Sequence, residues 1–269
     1  MSDRERYILG TDDHELARLK LQQEVWSEET DGWIDLLGLR PGERVLDAGC
    51  GPGLATERLR RVTGPDGHVL AVDGSQRWID HVDARVADEG WSDVETRCVE
   101  LEQLDIEGSY DAVFMRWVLS FPRDPAVVLG RLAGCLVPGG RLLAIDYNHE
   151  GVSLYPRSAG FDAVIRATRA LYVTKGGSAF IAGRFPELFE GAGLQLEKLR
   201  PTVIAGRPGS PAFDWADAFF PHHVDFMVQA GVLSPAEREL FLAEWAERRQ
   251  DPEATFYSPI VVAALGTRP

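Results

Sequence analysis

The chain has 269 residues, 45% of them apolar and 26% charged, with 28 Lys and Arg against 42 Asp and Glu for a formal net charge of −14. That length suits one α/β domain with an insertion. A surface this acidic repels phosphate backbones and anionic lipid, so nucleic acid and membrane partners are not expected and a small molecule is.

No segment approaches the roughly 20 apolar residues of a membrane span. The first 25 residues alternate charges without an apolar core, so no signal peptide is expected. The cysteines Cys50, Cys98 and Cys135 are odd in number, widely spaced and on predicted buried elements. They are expected to be reduced thiols of a cytoplasmic protein. No C-x-x-C or H-x-x-x-H pair is present, so no metal site is expected. Nothing in the sequence specifies an oligomeric state.

In chain order, Asp12 to Glu29 is predicted as an amphipathic helix with Leu16, Leu19 and Gln23/Trp26 near one face. A short helix then reaches Leu39, and Arg40-Pro41-Gly42 turns into a strand. Val45-Leu46-Asp47-Ala48-Gly49-Cys50-Gly51-Pro52-Gly53 reads as a buried strand, a turn with glycine at alternate positions, and the start of a helix. Glycine there allows a sharp bend and close approach of a ligand, and free N–H groups of the helix start point into the same space. A dinucleotide fingerprint requires a third glycine at the sixth position. Counting from Gly49 that position is Leu54, and from Gly51 it is Thr56, so a pyrophosphate is not the expected ligand.

Val69 to Asp73 is the second strand, and Asp73 lies 20 residues beyond Gly53, at the tip of the next parallel strand. A carboxylate there can accept hydrogen bonds from both hydroxyls of a ribose. It could also cap the following helix, but Ser75 is the better cap and leaves Asp73 for the ligand. The third strand, Val94 to Val99, leads to Glu100 and Leu101. The fourth, Tyr110 to Met115, leads to Arg116 and Trp117. A helix from Asp124 ends before Pro138-Gly139-Gly140, and the strand Arg141 to Asp146 follows. Phe161 to Tyr172 and the segment opening at Phe185-Pro186 are helices. Leu194 to Leu199 is the sixth strand, and residues 203–212 are a mobile loop rich in Gly and Pro. Two helices divided by Gly231 and Ser234-Pro235 occupy 213–249. Thr255 to Tyr257 and Ile260 to Leu265 complete the sheet.

The run Asp47-x-Gly49-x-Gly51-x-Gly53, with Asp73 and the phrase LVPGGRLLAID at 136–146, resembles the class I S-adenosylmethionine-dependent methyltransferases over about residues 40–148. Tyr7, Gly10, Glu15, Arg18, Leu19 and Gln22 are similar to the amino-terminal lid of small-molecule members related to ubiquinone-biosynthesis methyltransferases. The resemblance implies a Rossmann-like α/β fold: a seven-stranded, mostly parallel sheet with the last strand antiparallel, helices on both faces, an N-terminal helical lid and an inserted helical cover. The units are 1–40 (lid), 41–149 (cofactor-binding core), 150–184 (inserted cover) and 185–269 (completion of the sheet, with helical cover 213–249).

The resemblance also implies S-adenosylmethionine as cofactor. Asp47, Gly49, Cys50, Gly51 and Gly53 would lie against its methionine part, and Asp73 with Gly74 against the ribose. Glu100 would take the adenine amine, although the family's common residue there is Asp, with Leu101 beside it. Arg116 and Trp117 would pass beneath the sulfonium, where a Trp face favours a cation; core packing is the equal alternative. Tyr7 and Gln22 would close over the amino-acid end. Arg18 would pair with the carboxylate or form a salt bridge on the helix surface.

The segments over the strand tips are dense in aromatics: Tyr155, Phe161, Tyr172, Phe180, Phe213, Trp215, Phe219, Phe220 and Phe226. Some pack the cover, and the rest suit an organic acceptor. His149, after the fifth strand, is the first choice as base or acceptor-orienting group, and His222 and His223 are the second. The resulting expectation is methyl transfer to a small organic acceptor, a specialised metabolite, with oxygen favoured over carbon or nitrogen because it needs only a base and a pocket. The alternative is a relative that keeps the cofactor site and catalyses a rearrangement or decarboxylation.

Overall fold

Three runs of apolar side chains, Val45-Leu46, Val69 to Val72 and Ala112 to Met115, are buried on both faces, as central strands of a parallel sheet require. A computed structural model describes residues 13–269, and Tyr7 and Gly10 lie outside the described residues. The strands are β1 (Arg44–Ala48), β2 (His68–Asp73), β3 (Val94–Cys98), β4 (Tyr110–Arg116), β5 (Leu136–Asn148), β7 (Gln195–Thr202) and β10 (Ile260–Thr267). They form one seven-stranded sheet in the order β3-β2-β1-β4-β5-β10-β7. Ala48 pairs in register with Val72 on one side and Met115 on the other, so the tips of β1, β2 and β4 end at one level. The last strand runs antiparallel to both β5 and β7. Reversal of strand order beside β1 opens the crevice in which ligands of such sheets bind.

Successive side chains along a strand alternate between faces. Val45, Val69, Ala112, Phe114 and Leu143 join one apolar core, and Leu46, Leu70, Val113, Met115 and Leu142 join a second. Helices cover both. The first core takes Trp33, Ile34 and Leu37 from α2 (Ser27–Leu37). The second takes Val128, Leu129 and Leu132 from α5 (Pro125–Cys135), whose N-cap Asp124 accepts from the N–H of Ala126 and Val127. Between these lie α3 (Thr56–Thr63) and α4 (Gln76–Glu89). Above the strand tips sit α6 (Ala159–Thr174) and α8 (Pro211–Gln229), backed by α9 (Pro235–Arg248). The last starts with a reciprocal capping box between Ser234 and Glu237.

Several expectations are corrected. The segment 12–29 is not one amphipathic helix. It divides at the buried Trp26 into α1 (Asp13–Val25) and α2. The buried side chains of α1 are Glu15, Arg18 and Gln22, one polar stripe at helical spacing, while Leu16 and Leu19 are only partly buried. Thr255–Tyr257 does not join the main sheet. It is the centre of a second, three-stranded sheet between β6 (Ser153–Tyr155) and β8 (Ala205–Gly206), so part of the loop 203–212 is paired backbone. Cys98 is exposed, whereas Cys50 and Cys135 are buried as expected, and no disulfide joins the three. Among the described residues no helix is long and apolar enough to cross a membrane.

Candidate functional site

Glycines 49, 51 and 53 all have φ between 53° and 74°, in the left-handed region. A Cβ on Gly49 would lie 2.4 Å from Val118 Cγ2, and one on Gly53 would lie 2.9 Å from Val82 Cγ2. A Cβ on Gly51 would meet nothing within 4 Å. Gly49 and Gly53 are therefore glycine for packing, and Gly51 is glycine at an open wall. The N–H groups of Gly49 and Cys50 both donate to the Val72 carbonyl, at 2.8 and 2.9 Å, which ties the turn to β2. The helix does not start at the turn. The first residue of α3 is Thr56, whose hydroxyl donates to Asp47 Oδ2 at 2.6 Å. Burial pushes the Asp47 carboxyl up to about 6, against the Thr56 bond and the nearby Arg116 charge.

Asp73 is not left open by Ser75 as a helix cap. Ser75 stands at the N-cap, but its side chain makes no capping bond. The Asp73 carboxylate instead accepts from backbone on both sides: Oδ1 from Ser75 N–H at 2.8 Å and Oδ2 from Gly51 N–H at 2.9 Å. Each carboxylate oxygen can accept a further bond. Glu100 lies against Gly74, where an added Cβ would sit 2.7 Å from its Oε2, and Leu101 is buried beside it.

At the tip of β4, Trp117 is the one non-glycine among the described residues with positive φ, at 58°. Its ring stacks on Tyr147 at 5.8 Å and 8°, and the Arg116 guanidinium covers it at 4.4 Å. Its indole nitrogen is buried with no partner. Arg116 donates to Thr30 Oγ1 at 2.6 Å and Gln23 Oε1 at 2.7 Å, and burial pulls it down to about 10.

Arg18 is neither open to a ligand carboxylate nor part of a surface bridge. It donates to both Glu15 oxygens at 2.7 Å and to Gln22 Oε1 at 2.6 Å, and all three side chains are buried. Gln22 in turn donates to Tyr147 Oη at 3.3 Å. Burial works against the Arg18 charge, but the Glu15 bond and charge, together with Tyr147 and Tyr172, outweigh it and raise its pKa.

These groups line a single cavity of about 360 Å3. Asp47, Gly49, Cys50, Gly51, Asp73 and Gly74 are at one end, with Glu100 and Leu101 adjoining. Arg116 and Trp117 are in the wall, and Arg18 and Gln22 under the lid helix. Gly53 does not line it; it packs on Val82. At the other end are His149, Tyr172, Phe121, Trp215, Phe219 and Phe220. His149 is 7% exposed, sits edge-on to Tyr147 and Tyr172, and has a buried Nδ1 without a partner. Burial and the Arg169 charge pull its pKa down to about 3, so it is neutral. His222 and His223 are on α8 but do not reach the cavity. His222 is exposed, and His223 is held by the Phe219 carbonyl at 2.7 Å and stacked on that ring.

The aromatic cover divides in two. Phe161 and Phe213 stack on Trp245 and hold the helices together, and Tyr155 is exposed. Tyr172, Trp215, Phe219 and Phe220 face the cavity. Sequence reasoning gave Glu15 no role and did not single out Tyr147. The signal for Glu15 is its i, i+3, i+7 spacing with Arg18 and Gln22, a polar stripe at core periodicity. Among the described residues no cluster of His, Cys, Asp or Glu could hold a metal.

Residues 45–140 match the family model described as "Methyltransferase domain". The chain carries a class I S-adenosylmethionine-dependent methyltransferase domain. Over 141 residues it is 32% identical to a ubiquinone/menaquinone biosynthesis C-methyltransferase of Vibrio campbellii, covering 52% of each chain. Over 125 residues it is 31% identical to a ubiquinone biosynthesis O-methyltransferase of Bradyrhizobium, covering 46% of this chain and 48% of that one. The matches thus span about half the length of these curated relatives. In fold, the methyltransferase domain and its cover are similar to geranyl diphosphate C-methyltransferase of Streptomyces coelicolor, crystallised with S-adenosyl-L-homocysteine. The TM-score is 0.57 at 16% identity, over 90% of this chain and 76% of that one. They are also similar to the cyclase SpnF, at TM-score 0.59 and 19% identity, over 90% of this chain and 80% of that one.

Proposed function

We propose that this chain is an S-adenosylmethionine-dependent methyltransferase acting on a small organic acceptor, with oxygen as the atom methylated. One observation carries the reading: a single cavity joins the glycine turn and Asp73 to a wall of aromatic side chains and a neutral histidine. A site for a cofactor and a site for an apolar partner are thereby made continuous, within the size range of small-molecule pockets.

The residues present fit the cofactor. Gly51 leaves open the space that a Cβ would fill. Asp73, held by two backbone N–H groups, is aligned to accept ribose hydroxyls, and Glu100 and Leu101 would meet the base. Trp117 and Arg116 form the wall between the two ends. When bound, the cofactor supplies an electrophilic methyl carbon on a sulfonium. The chain's own part is to place the acceptor atom in line at near-attack distance and to exclude water.

His149 serves as a hydrogen-bond acceptor that orients an acceptor hydroxyl. Its depressed pKa makes it a weak base, so we assign it orientation rather than strong proton abstraction. The acidic surface and the lack of a disulfide among Cys50, Cys98 and Cys135 support a cytoplasmic specialised metabolite as acceptor over nucleic acid.

A second reading, cofactor-assisted rearrangement without methyl transfer, is supported by the likeness to SpnF over 90% of this chain. Incubation with methyl-labelled S-adenosylmethionine and a panel of hydroxylated acceptors separates the two. Stoichiometric S-adenosylhomocysteine and labelled product are expected. A product formed without S-adenosylhomocysteine would instead establish the rearrangement.

A further inference from the structure

Among the described residues the cavity is lined by five carboxylate side chains, Glu15, Asp47, Asp73, Glu100 and Glu102, and by two cations, Arg18 and Arg116. Neither arginine offers an unmatched charge. Arg18 is held by both oxygens of Glu15 and by Gln22. Arg116 lies near Asp47, is held by Thr30 and Gln23, and turns its face to Trp117. At the aromatic end the one titratable nitrogen group among the described residues, His149, is deeply buried.

The Glu15–Arg18 pair is the unusual part. Both side chains are about 5% exposed, on the buried face of a lid helix and in the wall of a ligand cavity. Buried ion pairs contribute little net stability compared with apolar packing, so stability alone does not account for one here. An arginine by itself at this position would be an anion site, because its planar donor fork matches a carboxylate. Glu15 occupies that fork.

We propose that Glu15 is a specificity-determining residue. By filling the Arg18 fork inside the cavity, it excludes anionic acceptors. The word acceptor rests on the methyltransferase reading; the charge selection does not. An anion entering the aromatic end would lose its hydration and meet only cations already matched, a cost that an uncharged ring does not bear.

Equilibrium binding of three flat probes to the full chain tests this: 2-naphthol, 2-naphthoate and protonated 1-naphthylmethylamine, followed by tryptophan fluorescence. The wild type is expected to bind 2-naphthol at least tenfold more tightly than 2-naphthoate, and Glu15→Gln is expected to leave the protonated amine no tighter. Glu15→Gln, which keeps the shape and releases the fork, is expected to tighten 2-naphthoate at least tenfold and to leave 2-naphthol within threefold. The double variant Glu15→Met, Arg18→Met guards against a folding defect; it should keep 2-naphthol binding and still reject 2-naphthoate.

Wild-type binding of 2-naphthoate as tightly as of 2-naphthol overturns the proposal. So does any failure of Glu15→Gln to tighten 2-naphthoate, whatever the other probes do. A tenfold loss of 2-naphthol in the double variant also overturns it, since the pair would then contact the ligand directly. S-adenosylhomocysteine is titrated in parallel. Its failure to bind would strike the methyltransferase reading and leave the charge selection standing.

Discussion

Asp73 and Gly51 are joined by a hydrogen bond of 2.9 Å from the turn's backbone N–H to the carboxylate at the tip of β2. The same carboxylate accepts from the N–H of Ser75, the residue that precedes α4. One side chain thus fixes the glycine turn, the next helix and the point where a ribose is expected. Asp73→Ala should therefore weaken both binding and fold. A hydrogen bond to a charged group is worth about 1.5–3 kcal/mol, a tenfold or greater rise in Kd for S-adenosylhomocysteine. Calorimetry and thermal melts read the two losses separately, and unchanged affinity would remove Asp73 from the site.

The glycine turn predicts a split between two neighbouring substitutions. Gly49→Ala drives a Cβ into Val118, so it should destabilise the fold by about 1–3 kcal/mol through overpacking. Gly51→Val projects into open space at φ 53°; it should cost about 1–2 kcal/mol of backbone strain and abolish cofactor binding. Melting curves with S-adenosylmethionine titrations on both variants check this. Normal binding by Gly51→Val would make the turn merely structural.

How much of this was legible in the sequence depended on how local the physics was. Left-handed backbone at Gly49 to Gly53 demands glycine wherever the chain folds that way, and the alternation of buried strands with helices set the sheet. The polar stripe of α1 was hidden because hydrophobic periodicity searches for apolar faces, and here the buried face is Glu15, Arg18 and Gln22. The three-stranded sheet escaped because strands of two or three residues carry no alternation to read. His222 and His223 were misplaced because neighbours on a helix point about 100° apart, and packing alone decides which way the cavity lies. Arg18 was visible as a cation, but its partner was not.

Neutrality of His149 makes a pH prediction. Its folded pKa is about 3 against an ordinary 6.5, so below pH 6.5 the unfolded chain takes up a proton that the folded chain refuses. Stability then falls as pH drops from about 6.5 to 3, by up to about 1.4 kcal/mol per pH unit for this group. Asp47 and Asp146, both raised to about 6 from 3.8, act with the opposite sign between those values, since the folded chain protonates them first. The difference between wild type and His149→Phe in urea melts therefore isolates the histidine: the variant should lose less stability on acidification. The His149 ring resonance should also stay flat from pH 8 to 5, and a midpoint near 6.5 would contradict the burial argument.

Trp117 predicts an inversion of the usual order of alanine and glycine. At φ 58° the backbone strain of any L-residue is about 1–2 kcal/mol, which glycine avoids. Both Trp117→Ala and Trp117→Gly lose the stack on Tyr147, so their difference reports the backbone alone. Trp117→Gly should be the more stable by roughly 1 kcal/mol in denaturant melts. Equal stability would mean that the turn relaxes when the indole is removed.

The function of the cavity depends on which molecule the glycine turn and Asp73 hold. Calorimetric titration of the full chain with S-adenosylmethionine and S-adenosylhomocysteine, with NAD as control, tests it most directly. Saturable one-to-one binding of the first two, and none of NAD, is the predicted result. Binding of NAD alone, or of none of the three, would contradict it.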